Sequence, residues 1–182
     1  EMYARMMNVS KRLSEAEEAG ADAGELSIIR DHLYRGQCNC PYWHGAFGGI
    51  YLPHLRNAIY NHLIEADTRL DQVMDSELTA VQATTEDYNF DGMQEIRLSN
   101  KSLCAWLAPA QGGRLYELDI RAIRHNLLAT LQRRQENYHQ KVLNGPSKDA
   151  EDVASIHDRV VFKQKDLDQR LHYDAYPRKS LM

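Results

Sequence analysis

Residues 52–74 read LPHLRNAIYNHLIEADTRLDQVM and carry apolar side chains at the spacing of an amphipathic helix. Pro53 falls in the first turn of this helix, where its missing N–H costs nothing. The apolar stripe, which would face a core, consists of Leu52, Leu55, Ile59, Leu63, Ala66, Leu70 and Val73. The pattern predicts a helix from about Leu52 to Met74.

Two shorter helices are predicted upstream of this one. Residues 1–18 place four apolar side chains on one stripe and should end at Gly20, while residues 24–35 align three more. The two stripes are Met2, Met6, Val9 and Leu13, and Leu26, Ile29 and Leu33. Three such helices can bury their stripes only against each other or against another domain. We therefore predict a helical domain at 1–80, similar to a three-helix bundle, with a glycine-rich loop at 36–50.

The periodicity changes after about residue 85. Residues 95–98 and 114–120 alternate polar and apolar side chains, and a short apolar run at 103–107 stands between them, bounded by turn residues. This pattern predicts a β meander. A further helix is expected over 126–142 and another strand over 160–163. The predicted class is α+β, in which the helical segment precedes part of an antiparallel β-sandwich that begins within residues 85–182.

Composition limits the possible functions. The 182 residues carry a formal net charge of −4, from 26 acidic and 22 basic side chains, without the basic block expected of a nucleic-acid binder. No apolar run reaches the roughly 20 residues that span a bilayer. Three cysteines, an odd number, do not form a disulfide framework, which favours a reducing, cytoplasmic setting. The chain begins and ends as though cut from a longer protein, so we expect a fragment.

Residues 36–45, GQCNCPYWHG, are the stretch richest in chemistry. Two amides, two large aromatic side chains and a histidine lie between glycines, and this combination suits a sugar ligand. Amides pair with vicinal hydroxyls, aromatic rings stack on the C–H face of a pyranose, and glycines let the backbone come close. An aromatic cluster that only pins a tight loop between helices explains the same residues, and the chemistry alone favours it.

A family resemblance favours the sugar. Residues 37–39, 42–45 and 47–56 resemble the last of the five sequence regions that define glycoside hydrolase family 57, in its 4-α-glucanotransferase and α-amylase branch. Residues 91–100, 112–119 and 173–178 resemble the C-terminal β-sandwich domain of that branch. The resemblance implies a parent with a distorted (β/α) barrel, a helical domain and the β-sandwich. It also implies that an α-1,4-glucan or maltooligosaccharide binds to Gln37, Asn39, Tyr42, Trp43 and His44.

The catalytic residues are expected elsewhere. Retaining glycosidases use two carboxyl groups about 5–5.5 Å apart, and the resemblance places both in the barrel, upstream of Glu1. We assign no catalytic residue and expect the isolated chain to be inactive. Relatives often have Asp at the position of Cys40 and Ala at that of Pro41, so this chain lacks a hydrogen-bond acceptor there. A non-catalytic carbohydrate-binding or assembly module is the alternative function.

Two patterns suggest metal sites. Cys38, Cys40 and His44 would supply three zinc ligands, but structural zinc normally needs four, so buried thiols are the better interpretation. Asp87, Asn89 and Asp91, followed by a glycine, resemble the start of a calcium loop, although Leu98 stands where the bidentate Glu is expected. A turn that opens a hairpin is the alternative. Calcium is the one cofactor suggested. Finally, an incomplete sheet would leave an unpaired edge, so self-association is expected.

Overall fold

The computed structural model describes residues 1–44, 47–74, 80–143 and 166–180. The chain divides into two compact units, Glu1–Thr130 with Lys179–Met182, and Leu131–Arg178. The α-helices are α1 (Met2–Glu18), α2 (Ala23–Gly36), α3 (Pro53–Met74) and α4 (Asn137–Leu143). The strands are β1 (Gln82–Glu86), β2 (Glu95–Ser99), β3 (Leu103–Ala108), β4 (Arg114–Ile120) and β5 (His125–Asn126). The first unit holds every element named here except α4.

Helices α1, α2 and α3 form the helical layer, as predicted, and their ends fall within one or two residues of the expected positions. Asp22 caps α2 by accepting a hydrogen bond from the Glu25 amide at 2.9 Å. Their apolar stripes meet in one core that includes Val9, Leu13, Ile29, Leu33, Ile59, Leu63 and Leu70. The predicted burial of these stripes against each other is confirmed.

The strands form an antiparallel meander in the order β1-β2-β3-β4-β5, which confirms the α+β class. The sheet is open within the described residues, as expected of part of a sandwich, and the register of β3 with β4 shifts between Trp106 and Leu107, where β4 has one extra residue. Ser180 returns to pair with Leu115 on β4, beyond the short β5. Strand β1 was not predicted, because its sequence, QATTE, lacks apolar alternation.

Strand β2 presents its polar side chains to the interior. On β2, Glu95, Arg97 and Ser99 are buried, whereas the apolar side chains between them are only half-buried. Arg97 donates hydrogen bonds to Asp67 at 3.0 Å and to Asp71 at 2.7 Å on α3. The inner face of β2 therefore meets the helices through charges, and its apolar residues, Ile96 and Leu98, lie on the other face, whereas β3 turns the apolar Cys104 and Trp106 inward.

These charges belong to a network of four arginines and four carboxylates, here called the charge network: Arg5, Arg12, Arg97, Arg121, Asp67, Asp71, Glu117 and Asp119. Arg5 lies at its centre, fully buried, with an Nη atom 3.0 Å from both Asp67 and Asp119 and with Nε 3.2 Å from Glu117. Each charge in such a buried network needs a partner of opposite sign, because a buried charge without one costs several kcal/mol of stability.

The charge network sets the protonation of its members. Burial opposes the ionisation of Asp67, but Arg5 and Arg97 outweigh it and hold the pKa of this carboxyl well below its usual range. Burial and the neighbouring Glu117 carboxylate instead raise the pKa of Asp119. The network thus contains one strongly ionised carboxylate and one that retains its proton more readily.

The helix predicted over 126–142 is wrong in its first half. The Leu127 amide donates to the Leu118 carbonyl at 2.8 Å and so continues the sheet, and the Asn126 side chain accepts from the Leu128 amide at 2.8 Å. The Arg133 amide, which a helix would direct to its own backbone, donates to the Asp174 side chain at 2.7 Å, and helix begins only at Asn137. The strand predicted at 160–163 lies outside the described residues.

The second unit is held by a separate polar cluster. Arg133 donates to Asp174 from Nε at 3.1 Å and from an Nη atom at 2.6 Å, and Arg178 donates to the same carboxylate at 3.0 Å. These hydrogen bonds hold the pKa of Asp174 far below its usual range. The Tyr173 hydroxyl lies 3.1 Å from Nδ1 of His139 on α4.

Candidate functional site

The loop between α2 and α3 begins at a point where the two helices pack closely against each other. Gly36 ends α2 against Leu63 on α3, and a Cβ atom at Gly36 would come within 2.6 Å of the leucine side chain. The chain then makes two short 3-10 turns, Cys40–Tyr42 and Gly49–Tyr51. The Ile50 amide donates to the Trp43 carbonyl at 2.8 Å, which joins the two halves of the loop.

Gly49 makes this closure possible. It has a φ of +46°, and a Cβ atom there would overlap the Trp43 carbonyl oxygen and lie 2.8 Å from the Cys40 carbonyl oxygen. A glycine is required because no side chain fits so close an approach of backbone to backbone. The position of the Trp43 backbone thus depends on a residue six positions further along the chain.

Arg56 ties the loop to the rest of the first unit. This buried side chain, in the first turn of α3, donates to the Ile50 carbonyl at 2.6 Å and to the Ala129 carbonyl at 3.3 Å. Burial lowers the pKa of its guanidinium. Sequence reasoning assigned Arg56 no role, although an arginine one turn before Ile59, on the same apolar stripe, was a signal that it has a buried partner.

The structure separates the five predicted binding residues into two groups. Tyr42 points inward: its hydroxyl donates to the Gly36 carbonyl, its ring packs against the helical core, and burial raises its pKa. The other four, Gln37, Asn39, Trp43 and His44, are exposed. The Trp43 and His44 rings meet edge to face with centroids 5.3 Å apart. Whether these residues bind a sugar remains a prediction.

Two further aromatic side chains of the loop are exposed, and sequence reasoning did not single them out. Phe47 is 91% exposed and Tyr51 is 39% exposed, compared with 41% for Trp43. Together with Trp43, they make three exposed aromatic side chains on this one loop. The composition of residues 47–51, FGGIY, was the available signal, because aromatic residues flank a glycine pair there.

The loop carries amide, imidazole and aromatic side chains but no carboxylate. Residues 37–52 contain no Asp or Glu, so they cannot supply the two carboxyl groups of a retaining glycosidase. The carboxylates of the charge network are buried and paired with arginines, as Asp67 and Asp119 show. Amides, imidazole and aromatic faces remain, and these can orient hydroxyl groups and stack on a sugar ring.

The three cysteines differ in their surroundings. Cys104 is buried, and burial raises its pKa to about 12. Cys38 is exposed and Cys40 half-buried, so the interpretation of both as buried thiols is wrong. Both belong to the loop between α2 and α3. Across the described part of the chain, no three His, Cys, Asp or Glu side chains are grouped to hold a metal ion.

The proposed calcium loop is organised by its own backbone. Asp87 accepts hydrogen bonds from the amides of Asp91 and Gly92 at 3.0 Å, and Asn89 accepts from the Asp91 amide at 2.9 Å. Glu95 is buried behind the loop and accepts from the Tyr88 amide at 3.0 Å. Hydrogen bonds of this kind are expected of the alternative structure, a turn that leads into β2. Calcium binding stays a hypothesis for this loop.

Comparison with known protein families gives two matches that together cover most of the chain. Residues 1–70 match the middle domain of the alpha-amylase/4-alpha-glucanotransferase family, and residues 87–182 match the C-terminal domain of the same family. The resemblance found in residues 37–56 is therefore confirmed. None of the described helices is long and apolar enough to cross a membrane.

Individual relatives agree. The chain is 36% identical to alpha-amylase 1 of Dictyoglomus thermophilum, over 98% of this chain and 24% of that protein. It is 34% identical to the 4-alpha-glucanotransferase of Thermococcus kodakarensis, over 97% of this chain and 24% of that protein. The crystal structure of 4-alpha-glucanotransferase from Thermococcus litoralis superposes with a TM-score of 0.68 at 30% identity, covering 98% of this chain and 23% of that one. The chain thus spans about a quarter of these relatives.

Proposed function

The chain belongs to the alpha-amylase/4-alpha-glucanotransferase family, and from that premise we propose that it supplies sugar-binding and scaffold residues to a retaining enzyme that acts on α-1,4-glucans. The relatives are named as amylases and as glucanotransferases, and both types fit the proposal. The catalytic carboxylates would lie in another part of such an enzyme. In this proposal Gln37, Asn39, Tyr42, Trp43 and His44 form the binding loop.

One observation carries the proposal: Trp43 is 41% exposed on a loop whose backbone is fixed. The Ile50 amide holds the Trp43 carbonyl, and Arg56 holds Ile50 in turn. An aromatic ring that is held in place before binding loses little conformational freedom when a sugar stacks on it. Tyr42 serves this loop as an anchor to α2, so we assign it a positioning role.

The wider organisation of the chain is part of the proposal. The family matches at 1–70 and 87–182 support a helical domain at 1–80 and the beginning of a β-sandwich domain at 85–182. Strand β1, an edge of the sheet, supports self-association through an unpaired strand. The free cysteines, one of them exposed, support a cytoplasmic location.

The alternative function is a non-catalytic carbohydrate-binding or assembly module. It shares the binding loop and differs in lacking a catalytic barrel anywhere in the parent protein. The full reading frame distinguishes the two, because an upstream barrel with a catalytic carboxylate pair supports the enzyme. The family match favours the enzyme, since the relatives are named for their activities.

Calorimetric titration of the 182-residue chain with maltoheptaose tests the proposed function. We expect weak binding of maltoheptaose, no binding of the β-1,4-linked cellohexaose, and no turnover of either sugar. Binding without turnover is expected because the loop offers aromatic and amide groups but no carboxylate. Equal binding of both sugars, or turnover by the purified chain, would contradict the proposal.

A further inference from the structure

Two histidines, one on α2 and one on α3, have their rings next to each other. His32 lies on α2 one turn before Gly36, and His62 lies on α3 next to Leu63. Their Nδ1 atoms are 3.1 Å apart, and the rings are 5.3 Å apart at an angle of 46°. Both side chains are half-buried, so solvent reaches them.

The separation of the two nitrogens suits a shared metal ion. Zinc binds imidazole nitrogen at about 2.0–2.1 Å, and two such bonds at 90–110° separate the nitrogens by roughly 2.9–3.4 Å. Burial lowers the pKa of both His32 and His62, which leaves the imidazoles neutral and able to donate a lone pair at neutral pH. The two helices therefore present a pair of ligands at chelating distance.

We propose that His32 and His62 bind one divalent transition-metal ion, such as Zn²⁺, Ni²⁺ or Cu²⁺, through their Nδ1 atoms, with water completing the coordination. Imidazole favours these ions over Ca²⁺ and Mg²⁺, which prefer oxygen ligands. The bound ion would link the end of α2 to α3 immediately before the loop begins. This inference goes beyond the proposed glucan-binding function and does not depend on it.

The charged neighbours define this as a two-histidine site. Glu65, one turn after His62, accepts from Arg69 at 2.8 Å and lies 3.7 Å from Arg124, so arginines already hold its carboxylate. Asp31 pairs with Arg35 at 2.9 Å on the outer side of α2. With no third ligand among the residues that the structure describes, the affinity should be well below that of a four-ligand structural zinc site.

Thermal unfolding of the whole 182-residue chain tests the proposal. Cys38→Ser and Cys40→Ser are introduced first, because surface thiols also bind Zn²⁺. We expect excess Zn²⁺, Ni²⁺ or Cu²⁺ to raise Tm by on the order of 3 °C and Ca²⁺ to have no effect. His32→Gln and His62→Gln should each abolish the rise, whereas His54→Gln, at an exposed position at the start of α3, should retain it.

A rise in Tm that persists in both His32→Gln and His62→Gln would overturn the proposal. The absence of any rise in the chain that carries only Cys38→Ser and Cys40→Ser would overturn it as well. Electron paramagnetic resonance of one equivalent of Cu²⁺ bound to the cysteine-substituted chain identifies the ligand atoms of the metal ion. It leaves His32 and His62 unchanged, so the test does not depend on whether the histidine variants fold. Hyperfine coupling to two imidazole nitrogens is expected. A spectrum without it would show that the two histidines only share a hydrogen bond.

Discussion

The two tryptophans of the chain have opposite surroundings. Trp106 is fully buried and stacks on Tyr88 with ring centroids 4.0 Å apart, so it is a core anchor. Trp43 lies on the loop with 41% of its surface exposed and meets the His44 ring at its edge. The interpretation of Trp43 as a residue that only pins the loop therefore accounts for the buried part of its surface and not for the exposed part.

Trp43→Ala separates binding from stability. We expect the affinity for maltoheptaose to fall by about 1–3 kcal/mol, because an aromatic anchor carries much of the contact area. The free energy of unfolding should change by less than about 1 kcal/mol, as for other partly exposed side chains. Both quantities are measured on the same protein, by calorimetric titration and by urea unfolding. A loss of stability with unchanged affinity per folded molecule would remove Trp43 from the binding site.

Gly49→Ala tests whether the backbone closure fixes the loop. A Cβ atom would overlap the Trp43 carbonyl oxygen, so the loop must open and sugar binding should weaken together with Tm. Gly20→Ala is the matched control, because Gly20 also has a positive φ, +76°, but has no neighbour within 4 Å of a Cβ atom. It should cost only the left-handed strain, about 1 kcal/mol, and leave binding intact. Equal effects of the two substitutions would contradict the close approach.

At the scale of elements, the charge network explains why the helices and the sheet form one unit. Arg5 on α1 bonds to Asp67 on α3 and to Asp119 on β4, so a single guanidinium joins three elements. Arg97 on β2 bonds to the same Asp67. Desolvated charges of this kind specify one arrangement of partners, since any other leaves a buried charge unpaired.

Asp67→Ala should therefore be among the most destabilising single changes. It leaves Arg5 and Arg97 without a shared acceptor in the interior, and we expect a loss of about 3–5 kcal/mol in urea unfolding. Asp31→Ala is the control, because Asp31 pairs with Arg35 at the surface of α2 and such pairs contribute about 0–1 kcal/mol. Similar losses for both variants would mean that the charge network contributes little to stability.

The sequence predicted the elements better than their orientation. Helical spacing in α3 and alternation in β4 were sufficient to place both, because each period follows from backbone geometry. Alternation divides a strand into two faces but does not say which face meets the helices. On β2 the natural choice, Ile96 and Leu98, is the outer face, and Arg97 is inside. Only partners distant in the sequence, such as Asp67, decide this.

At the scale of the whole molecule, the first compact unit contains residues of both family segments. The segment matching the middle domain contains Arg5 and Asp67, and the segment matching the C-terminal domain contains Arg97 and Asp119. Two ion pairs run between the two segments, Arg5 with Asp119 and Arg97 with Asp67, each at 3.0 Å. Both segments thus contribute residues to the unit that carries the binding loop, in agreement with the proposed scaffold role.

The binding loop was found through family resemblance and could not have been resolved by periodicity. Tyr42 and Trp43 are adjacent, yet one ring packs against the core and the other is exposed. An irregular loop has no repeat from which to assign directions, and its closure depends on Gly49 and Arg56. The motif locates the loop in the sequence, but the directions of its side chains follow only from the folded structure.

The most direct measurement follows the two indole N–H resonances of the ¹⁵N-labelled chain during titration with maltoheptaose. Trp106, buried in the sheet, is an internal control beside Trp43 on the loop. We expect the Trp43 signal to shift progressively and saturate, while the Trp106 signal stays in place and cellohexaose moves neither. A Trp43 signal that remains unmoved up to the solubility limit of maltoheptaose would contradict the assignment of this loop as a glucan-binding surface.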